Sequence, residues 1–370
     1  MKILHTSDWH LGISVHGVSM LDEQKHFKNE IIEIIKENGI DAVILSGDVF
    51  DSSVASGEAI RLYNDIATAI CRDIGIPLIV IAGNHDGAAR LSSMHELLKK
   101  SGLYVTGKLT RDIEPVILGN AAVYPIPYFN TDEVRALFPD EEIKTYEEAM
   151  NVVCSHIRDK TDKSLFNIAA VHAFVSGAAL SDSDRSAVIG TASMVSKDVF
   201  DGFDYVALGH LHKPQSVSDT VRYSGSPVKY SFSETGTGKS VTVIDTTTGE
   251  TEIIPLSPVH DMRIIRGTLE EIVSSGPSDD YIKAEITDKY AGLEALDALS
   301  AVFPNLLAVS GKSAADSEMT ALSINEMEQL SPSEILESFF MDTYGEKPEE
   351  EQIKMFENAL IKAEEGGGLE

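Results

Sequence analysis

Short apolar runs that alternate with amphipathic helical patterns constrain the fold of this chain most strongly. Residues Ile3–Ser7, Ala42–Ser46 and Leu78–Ala82 are rich in aliphatic and β-branched side chains, and each run is too short for a buried helix. Asp22–Asn38 carries apolar side chains at helical spacing between the first two runs, and Glu58–Ile74 separates the second run from the third. Strand–helix–strand order repeated twice predicts a parallel sheet with right-handed crossovers.

After Gly102 the sequence changes to a series of strand-like segments with one helical stretch, about 141–158, among them. The predicted strands are 103–106, 116–126, 166–175, 205–209, 221–224 and 240–245. We therefore predict an α/β fold in which two sheets pack on each other and are flanked by helices, rather than one open sheet.

Side chains suited to chemistry follow five of the predicted strands. The motifs are Asp8-x-His10, Gly47-Asp48-Val49-Phe50-Asp51, Gly83-Asn84-His85-Asp86, Val171-His172 and Gly209-His210-Leu211-His212. Ligand sites in α/β folds form at the carboxyl ends of strands, so the five loops are expected to converge on one rim. Each motif alone is more typical of a cap, a turn or a core histidine, but five such motifs in this order, each at a strand end, indicate one site.

The residue types at these strand ends indicate a metal centre. Imidazoles and carboxylates suit Mn, Fe or Zn, and the lack of thiolates argues against a structural zinc site. Seven candidate ligands are too many for one ion and match two ions that share a carboxylate. Two ions roughly 3.5–4 Å apart can bind a phosphoryl group, generate hydroxide and hold the leaving oxygen. Glycines 47, 83 and 209 are predicted to allow sharp turns that aim the next side chain at the metals.

Together the motifs resemble those of the calcineurin-like metallophosphoesterase superfamily. The segments HAFVSGAALSDSDR (172–185), FDYVALGHLHKPQ (203–215) and RYSGSPVKYSFSE (222–234) are similar to the SbcD family, the nuclease subunits of SbcCD DNA-repair complexes. The similarity is strong over about residues 1–255. It implies a metallophosphoesterase sandwich and a metal-dependent nuclease of DNA repair and recombination. Such a nuclease acts as an exonuclease on double-stranded ends and as an endonuclease on hairpins and single strands.

The resemblance also implies roles for individual residues. Those implied to hold one ion are Asp8, His10, Asp48 and His212. Those implied to hold the other are Asp48, Asn84, His172 and His210, so that Asp48 bridges the two. His85 would face the scissile phosphate and assist the leaving oxygen, while Asp51 and Asp86 would orient ligands. The family implies two Mn²⁺ ions, and the residue types alone also allow Fe or Zn.

Two positions near the motifs depart from the family pattern. Ile13 stands where relatives often carry Arg, and Gly87 stands where Ser tends to follow GNHD. Neither is a candidate ligand, and both lie on loops predicted to be close to DNA. Three further residues are candidates for contact with DNA phosphates: His16, Arg90 and Arg185.

The charge of the chain bears on how it would hold DNA. Asp and Glu number 59 against 30 Lys and Arg, a net charge of −29, whereas nucleic-acid binding relies on basic side chains that neutralise phosphates. A nuclease fits this charge if an SbcC-type coiled-coil ATPase supplies much of the DNA grip. The family implies such a partner, with a homodimer of this chain inside a heterotetramer. The alternative is a phosphoesterase of the same superfamily that acts on small-molecule or protein phosphates, because a ligand set does not fix the substrate.

Sequence features also predict location. No apolar run approaches the roughly 18 residues typical of a membrane span, and the first residues show no basic and apolar leader pattern. Cys71 and Cys154 form no metal or redox spacing. We expect a cytoplasmic protein without a membrane segment.

Changes in pattern predict three parts: a nuclease domain at 1–258, a small α+β capping domain at 259–320 and a helical tail at 321–370. The tail contains the capping box SPSE at 331–334 with Pro at the first helical position. Its amphipathic helices suit either packing on their own domain or docking on the partner.

The segment SETGTGKS (233–240) resembles a phosphate-binding P-loop. That motif needs Gly five positions before Gly238, where Ser233 stands, and it must open a helix, whereas strand-like sequence follows. We predict a hairpin turn here and expect ATP chemistry to belong to the partner.

Overall fold

The computed structural model describes residues 1–179, 194–289, 293–312, 347–348 and 352–353. The chain forms two compact units, Met1–Arg263 and Ile264–Glu370. Within the described ranges, no helix combines the length and apolar character needed to cross a bilayer. Arg185 and nearly all of the predicted tail lie outside these ranges, and the three-part division of the chain stays a prediction.

Most of the described strands belong to the first unit. In chain order they are β1 (Lys2–Thr6), β2 (Ser14–Val15), β3 (Val18–Ser19), β4 (Ala42–Ser46), β5 (Leu78–Ile81), β6 (Leu103–Thr106), β7 (Val116–Leu118), β8 (Ala121–Ile126), β9 (Phe166–His172), β10 (Phe174–Val175), β11 (Met194–Val195), β12 (Tyr205–Gly209), β13 (Gln215–Ser216), β14 (Val221–Tyr223), β15 (Lys239–Asp245) and β16 (Thr251–Leu256). Three more follow, β17 (Met262–Gly267), β18 (Tyr281–Lys289) and β19 (Leu306–Lys312).

The described helices lie between these strands. In chain order they are α1 (Leu21–Glu37), α2 (Gly57–Thr68), α3 (Ala88–Leu91), α4 (His95–Leu98), α5 (Thr131–Leu137), α6 (Tyr146–Arg158), α7 (Leu269–Ser274) and α8 (Leu293–Val302). A π-helical turn, Ala69–Ile74, continues α2, and short 3₁₀ turns occupy Lys99–Ser101, Lys197–Phe200 and Phe232–Glu234.

Two six-stranded sheets form the first unit. The first has the order β16-β15-β1-β4-β5-β6 and the second the order β13-β14-β12-β9-β8-β7. Strands β1, β4, β5 and β6 run parallel, and β15 pairs antiparallel with β1. In the second sheet β8, β9, β12 and β14 run parallel. The strand–helix–strand prediction is therefore confirmed for the first sheet.

Alternate side chains of the central strands enter two different cores. In β4, Ala42 and Ile44 pack between the two sheets, whereas Val43 and Leu45 pack on the outer face with the apolar side of α1 and α2. In β9, Ile168 lies in the layer between the sheets. This two-residue period buries both faces of each sheet. The predicted two-sheet sandwich flanked by helices is confirmed.

Local signals explain where the helices begin and end. Ser56 accepts a hydrogen bond from the backbone N–H of Ala59 at the start of α2, and capping boxes open α5 and α6. Gly39 follows α1 with a φ of 60°, the left-handed conformation that glycine adopts past a helix end.

The connection at 233–240 differs in part from its prediction. Lys239 opens strand β15 and no helix follows it, so the P-loop interpretation is excluded, as predicted. The segment is not a hairpin, however, because β14 and β15 lie in different sheets. It carries the chain from the second sheet back to the first, past the ends of both.

The second unit contains a three-stranded sheet, in the order β17-β18-β19, and the helices α7 and α8. Strands β18 and β19 run parallel. Its core includes Ile272, Ile282, Leu299 and Phe303. The small α+β fold predicted for this part of the chain is present.

Candidate metal centre

The five strand-end motifs meet at the rim where the two sheets adjoin. Within the first sheet, the backbone N–H of Asp8 donates to the carbonyl of Gly47 at 3.0 Å, and the N–H of His85 donates to Asp48 Oδ1 at 2.9 Å. Between the sheets, the N–H of His210 donates to Asp8 Oδ1 at 2.9 Å. The convergence expected from parallel strand ends is therefore present.

The backbone of the rim is strained at the predicted ligands. Six non-glycine residues among those described have a positive φ, and four of them are predicted ligands: Asp8 (52°), His10 (43°), Asp48 (48°) and His210 (106°). Such conformations cost about 1–3 kcal/mol each and persist where the surrounding structure enforces them, commonly at functional sites.

One group of side chains gathers around Asp8. His10 Nε2 lies 3.1 Å from His212 Nε2, and one ligand atom from each of Asp8, His10 and His212 lies within 4.8 Å of the others. Asp8 is fully buried and His10 is nearly so. Two ring nitrogens this close cannot both carry a hydrogen toward each other, so the pair suits a shared cation.

A second group gathers around Asn84. Its Oδ1 lies 2.9 Å from His172 Nε2 and 3.1 Å from His210 Nδ1. His172 is fully buried, whereas Asn84 is exposed, so this group opens toward solvent on one side.

Asp48 lies between the two groups. Its Oδ2 is 3.3 Å from His172 Nε2 and 3.6 Å from His10 Nε2. The same carboxylate thus approaches a nitrogen of each group, the position that a bridging ligand would occupy.

The hydrogen bonds of His172 test whether a cation fits. His172 Nδ1 lies 2.9 Å from the carbonyl of Ser46, and because a carbonyl only accepts, Nδ1 carries the hydrogen. In the neutral ring Nε2 then presents a lone pair to two further acceptors, Asn84 Oδ1 and Asp48 Oδ2. A cation among these three atoms would satisfy all of them. The oxygen and nitrogen donors match the ligand preferences of Mn, Fe and Zn.

Burial and the charges of neighbouring side chains set the pKa values of these groups. Burial disfavours the charged form of each group. It is the main reason why the pKa of Asp8 is raised to about 6 and why the pKa values of His10 and His210 are lowered to about 3. Burial would also lower the pKa of His172, but the Asp48 carboxylate raises it to about 9. Burial opposes the charge of Asp48, yet His172 holds the pKa of that carboxyl below its usual range. In the absence of a cation, a proton on His172 balances the charge of Asp48, and a bound cation would take the place of that proton.

His85 lies on the exposed side of the rim, where its ring packs edge-on against that of His10 with the ring centroids 4.9 Å apart. Its Nδ1 is 2.9 Å from the backbone carbonyl of Asp51, which fixes the hydrogen on Nδ1 and leaves Nε2 without a partner among the described residues. The Asp51 carboxylate itself approaches His10 Nδ1, at 3.7 Å.

Comparisons with known proteins match two separate parts of the chain. Residues 1–214 match the family described as "Calcineurin-like phosphoesterase", and residues 258–344 match the "Type 5 capsule protein repressor C-terminal domain". The SbcD subunit of the nuclease SbcCD from Staphylococcus saprophyticus is 30% identical over 374 residues, 99% of this chain and 100% of that protein. This chain belongs to the SbcD family of calcineurin-like phosphoesterases.

A solved structure from Thermus thermophilus is also similar. The similar region covers 69% of the present chain and 99% of the Thermus chain, with 12% sequence identity and a TM-score of 0.40.

Asp86 joins two of the motif loops in this SbcD-family chain. Its carboxylate accepts from the backbone N–H groups of Val49, Phe50 and Gly83 at 2.9–3.1 Å. Burial is the main cause that raises its pKa to about 6. Asp86 therefore ties the second and third loops together and contacts no candidate ligand through its side chain.

The glycines of the rim act differently from the prediction. Only Gly47 of the three has a positive φ, 88°. Gly83 and Gly209 are required for close approach instead, because a Cβ would overlap Asp48 at the first position and the carbonyl of Ser46 at the second. The chain does bend directly after each of them, at Asn84 and His210, but not through a left-handed glycine.

The structure describes two of the three candidates for DNA contact. His16 is exposed in the β2–β3 turn, with its ring 5.5 Å from that of Phe232. Arg90 donates through one nitrogen to the carbonyl of Ser53 at 2.7 Å. Arg185 lies outside the described residues.

Sequence reasoning missed the side chains that hold the ligand loops from behind. Gln24 Nε2 donates to the carbonyls of Trp9 and His10, and Tyr230 Oη donates to the carbonyl of Trp9 at 2.5 Å. Glu234 contacts His212, the last predicted ligand. A signal was present for Glu234, since it is an acid in the aromatic segment KYSFSE with Lys239 five residues on.

Proposed function

We propose that this chain is a metal-dependent DNA nuclease that hydrolyses phosphodiesters with two divalent ions, Mn²⁺ being the expected ion. The observation that supports the proposal is the position of His172 Nε2, which lies 2.9 Å from Asn84 Oδ1 and 3.3 Å from Asp48 Oδ2, where a cation would satisfy all three atoms. Further support is the 30% identity to a protein named as a nuclease subunit over its full length.

The proposed ligands form two sets that share Asp48. One set is Asp8, His10, Asp48 and His212, and the other is Asp48, Asn84, His172 and His210. Ions held there would act as Lewis acids on the phosphate and lower the pKa of the attacking water. Fe or Zn would suit the same donors.

His85 is proposed to protonate the leaving group. Hydrolysis joins a water oxygen to phosphorus and breaks the bond from phosphorus to a sugar oxygen, which then needs a proton. Because the Asp51 carbonyl fixes the Nδ1 hydrogen, the imidazolium of His85 holds its transferable proton on Nε2. The backbone N–H of His85 donates to Asp48, and its ring lies against that of His10, one of the proposed ligands. Asp51 and Asp86 position these loops.

The proposed substrates are double-stranded DNA ends, cut as an exonuclease, and hairpins or single strands, cut as an endonuclease, in repair and recombination. An SbcC-type coiled-coil ATPase would supply positive charge for DNA, since this chain carries a net charge of −29. We propose a homodimer within a heterotetramer, a helical tail that docks on the partner, and a cytoplasmic location. His16, Arg90 and Arg185 are the proposed phosphate contacts.

Cleavage of end-labelled duplex and hairpin DNA by the full-length chain tests the proposal, with Mn²⁺ and with and without the ATPase. His85→Ala is expected to lower cleavage by about 10²–10⁴-fold. His26→Ala is the control, because His26 is partly exposed on α1 and its ring bonds the carbonyl of Ser257, away from the motif loops.

A small diester, bis-p-nitrophenyl phosphate, separates the alternatives. If the chain hydrolyses this diester but leaves DNA intact even with the ATPase present, the nuclease proposal fails. A phosphoesterase of small-molecule or protein phosphates would then be the better assignment.

A further inference from the structure

A buried ionic cluster lies behind His212. Glu234 is 2% exposed and Lys239 is 5% exposed. Lys239 Nζ forms an ion pair with Glu234 Oε2 and also donates to Ser226 Oγ at 2.7 Å. Charges this deeply buried need partners, because burial without them is costly.

The cluster grips His212 at two points. Lys239 Nζ donates to the backbone carbonyl of His212 at 2.8 Å, and Glu234 Oε1 lies 3.4 Å from His212 Nδ1. Glu234 Oε1 also accepts from the backbone N–H of Tyr230 at 3.2 Å. Both the main chain and the ring of His212 are thus tied to one ion pair.

The chemistry of the carboxylate decides which nitrogen of His212 carries the hydrogen. Glu234 accepts from an ammonium and from an amide N–H, so it remains an acceptor and cannot donate. The hydrogen of the neutral ring therefore lies on Nδ1. Nε2 then presents its lone pair toward His10 Nε2, 3.1 Å away.

We propose that Glu234 is a positioning residue that sets the tautomer and orientation of His212, so that Nε2 is presented to the ion held by Asp8, His10 and Asp48. The inference rests on the proposed metal-binding role of His212. It assigns a function to the connection at 233–240, which carries the chain between the sheets and whose acid and lysine contact the site from behind. Carboxylates in this relation to a ligating histidine typically change metal affinity about 10–100-fold when removed.

Glu234→Gln tests the charge and acceptor with little change of volume. A glutamine amide nitrogen must face either Lys239 or His212 Nδ1, both donors, so it cannot replace the carboxylate. Glu23→Gln is the matched control. Glu23 is also a buried acid bonded to a histidine Nδ1, that of His260 at 2.6 Å, and it contacts none of the proposed ligands.

Mn²⁺ titration of the full-length chain gives the first readout. We expect wild type and Glu23→Gln to bind two ions, and Glu234→Gln to bind one of them about 10–100-fold more weakly. If Glu234→Gln binds both ions as tightly as wild type does, this inference is overturned, whereas the proposed metal centre is retained. If wild type binds no Mn²⁺, the proposed metal centre and this inference both fail.

Nitrogen-15 NMR of the histidine rings, without metal and at a pH where the ring of His212 is neutral, gives the second readout. The wild-type ring is expected to carry its hydrogen on Nδ1, and a His212→Asn variant assigns the signal. This measurement decides the matter even if Glu234→Gln does not fold. A hydrogen on Nε2 in the wild type would overturn the inference.

Discussion

The two sheets contribute different kinds of ligand to the same rim. The first sheet supplies all of the candidate oxygen ligands, Asp8, Asp48 and Asn84, together with His10. The second sheet supplies only imidazoles: His172, His210 and His212. The carboxylates are held by backbone N–H groups, whereas the rings of His172 and His212 are held through Nδ1 by acceptors.

Neither sheet therefore contains a complete site by itself. Asp8 of the first sheet is bound by the N–H of His210 of the second, and the ring of His172 is bound by the carbonyl of Ser46 of the first. The candidate centre therefore depends on how closely the sheets approach at their carboxyl ends. Four predictions follow for contacts between the sheets and within them, beginning with the largest effect.

Gly209→Ala should have the largest effect, because its Cβ would overlap the carbonyl of Ser46 and force the sheet ends apart. We expect Mn²⁺ affinity to fall roughly 100-fold or more, measured by titration calorimetry on folded protein. Gly238→Ala is the control, since a Cβ there meets no atom within 4 Å. Unchanged Mn²⁺ binding by a folded Gly209→Ala protein would show that close approach is not required.

Asp86→Ala acts within the first sheet alone. It leaves the N–H groups of Val49, Phe50 and Gly83 without their buried acceptor, so we expect the free energy of unfolding to fall by about 1–3 kcal/mol or more. Urea denaturation measures the change, with Asp65→Ala on the exposed face of α2 as the control. Equal unfolding free energies in the two variants would contradict this role of Asp86.

His5 joins the sheets below the rim and makes stability depend on pH. Its ring bonds Tyr205 Oη and the carbonyl of Leu208, and burial lowers its pKa to about 3 from an ordinary 6.5. The unfolded chain therefore binds one more proton between those values, and stability falls as pH drops from about 6.5 toward 3. The His5 contribution is up to about 1.4 kcal/mol per pH unit.

The measurement is urea denaturation of wild type and His5→Gln at several pH values. His5→Gln is expected to be less stable near neutral pH but to lose less stability on acidification. Parallel pH profiles for the two proteins would exclude His5 as the titrating group.

Tyr230→Phe should have the smallest effect. It removes the hydroxyl that donates to the carbonyl of Trp9 and accepts from Gln24, which together hold the first ligand loop. We expect a loss of about 1 kcal/mol in unfolding free energy. Tyr104→Phe on edge strand β6 is the control, and a loss no larger than in that control would show that the hydroxyl does not support the loop.

The sequence predicts which residues lie at the rim far better than it predicts the contacts that hold them in place. Asp8, Asp48, Asn84 and His172 follow apolar runs whose length and order already indicate parallel strands, and parallel strands end on the same side. That information is local, because each motif adjoins its own strand. The meeting of both sheets at one rim follows from the fold class.

The supporting contacts depend on residues far apart in the chain. Gln24 and Tyr230 bond to each other across 206 positions, and no periodicity in either segment marks the pair. The close approach of Gly209 to the carbonyl of Ser46 is equally hidden from the sequence, because the two residues lie far apart in the chain. Likewise, the segment predicted as one strand at 116–126 is two antiparallel strands, β7 and β8, joined by a turn at Gly119.

Crystals of the full-length chain grown with Mn²⁺, with anomalous diffraction recorded at the manganese edge, test the central claim most directly. We expect two peaks roughly 3.5–4 Å apart, one among Asp8, His10 and His212, the other among Asn84, His172 and His210, with Asp48 contacting both. A single peak, or peaks that Asp48 does not join, would contradict a two-metal centre built where the two sheets meet.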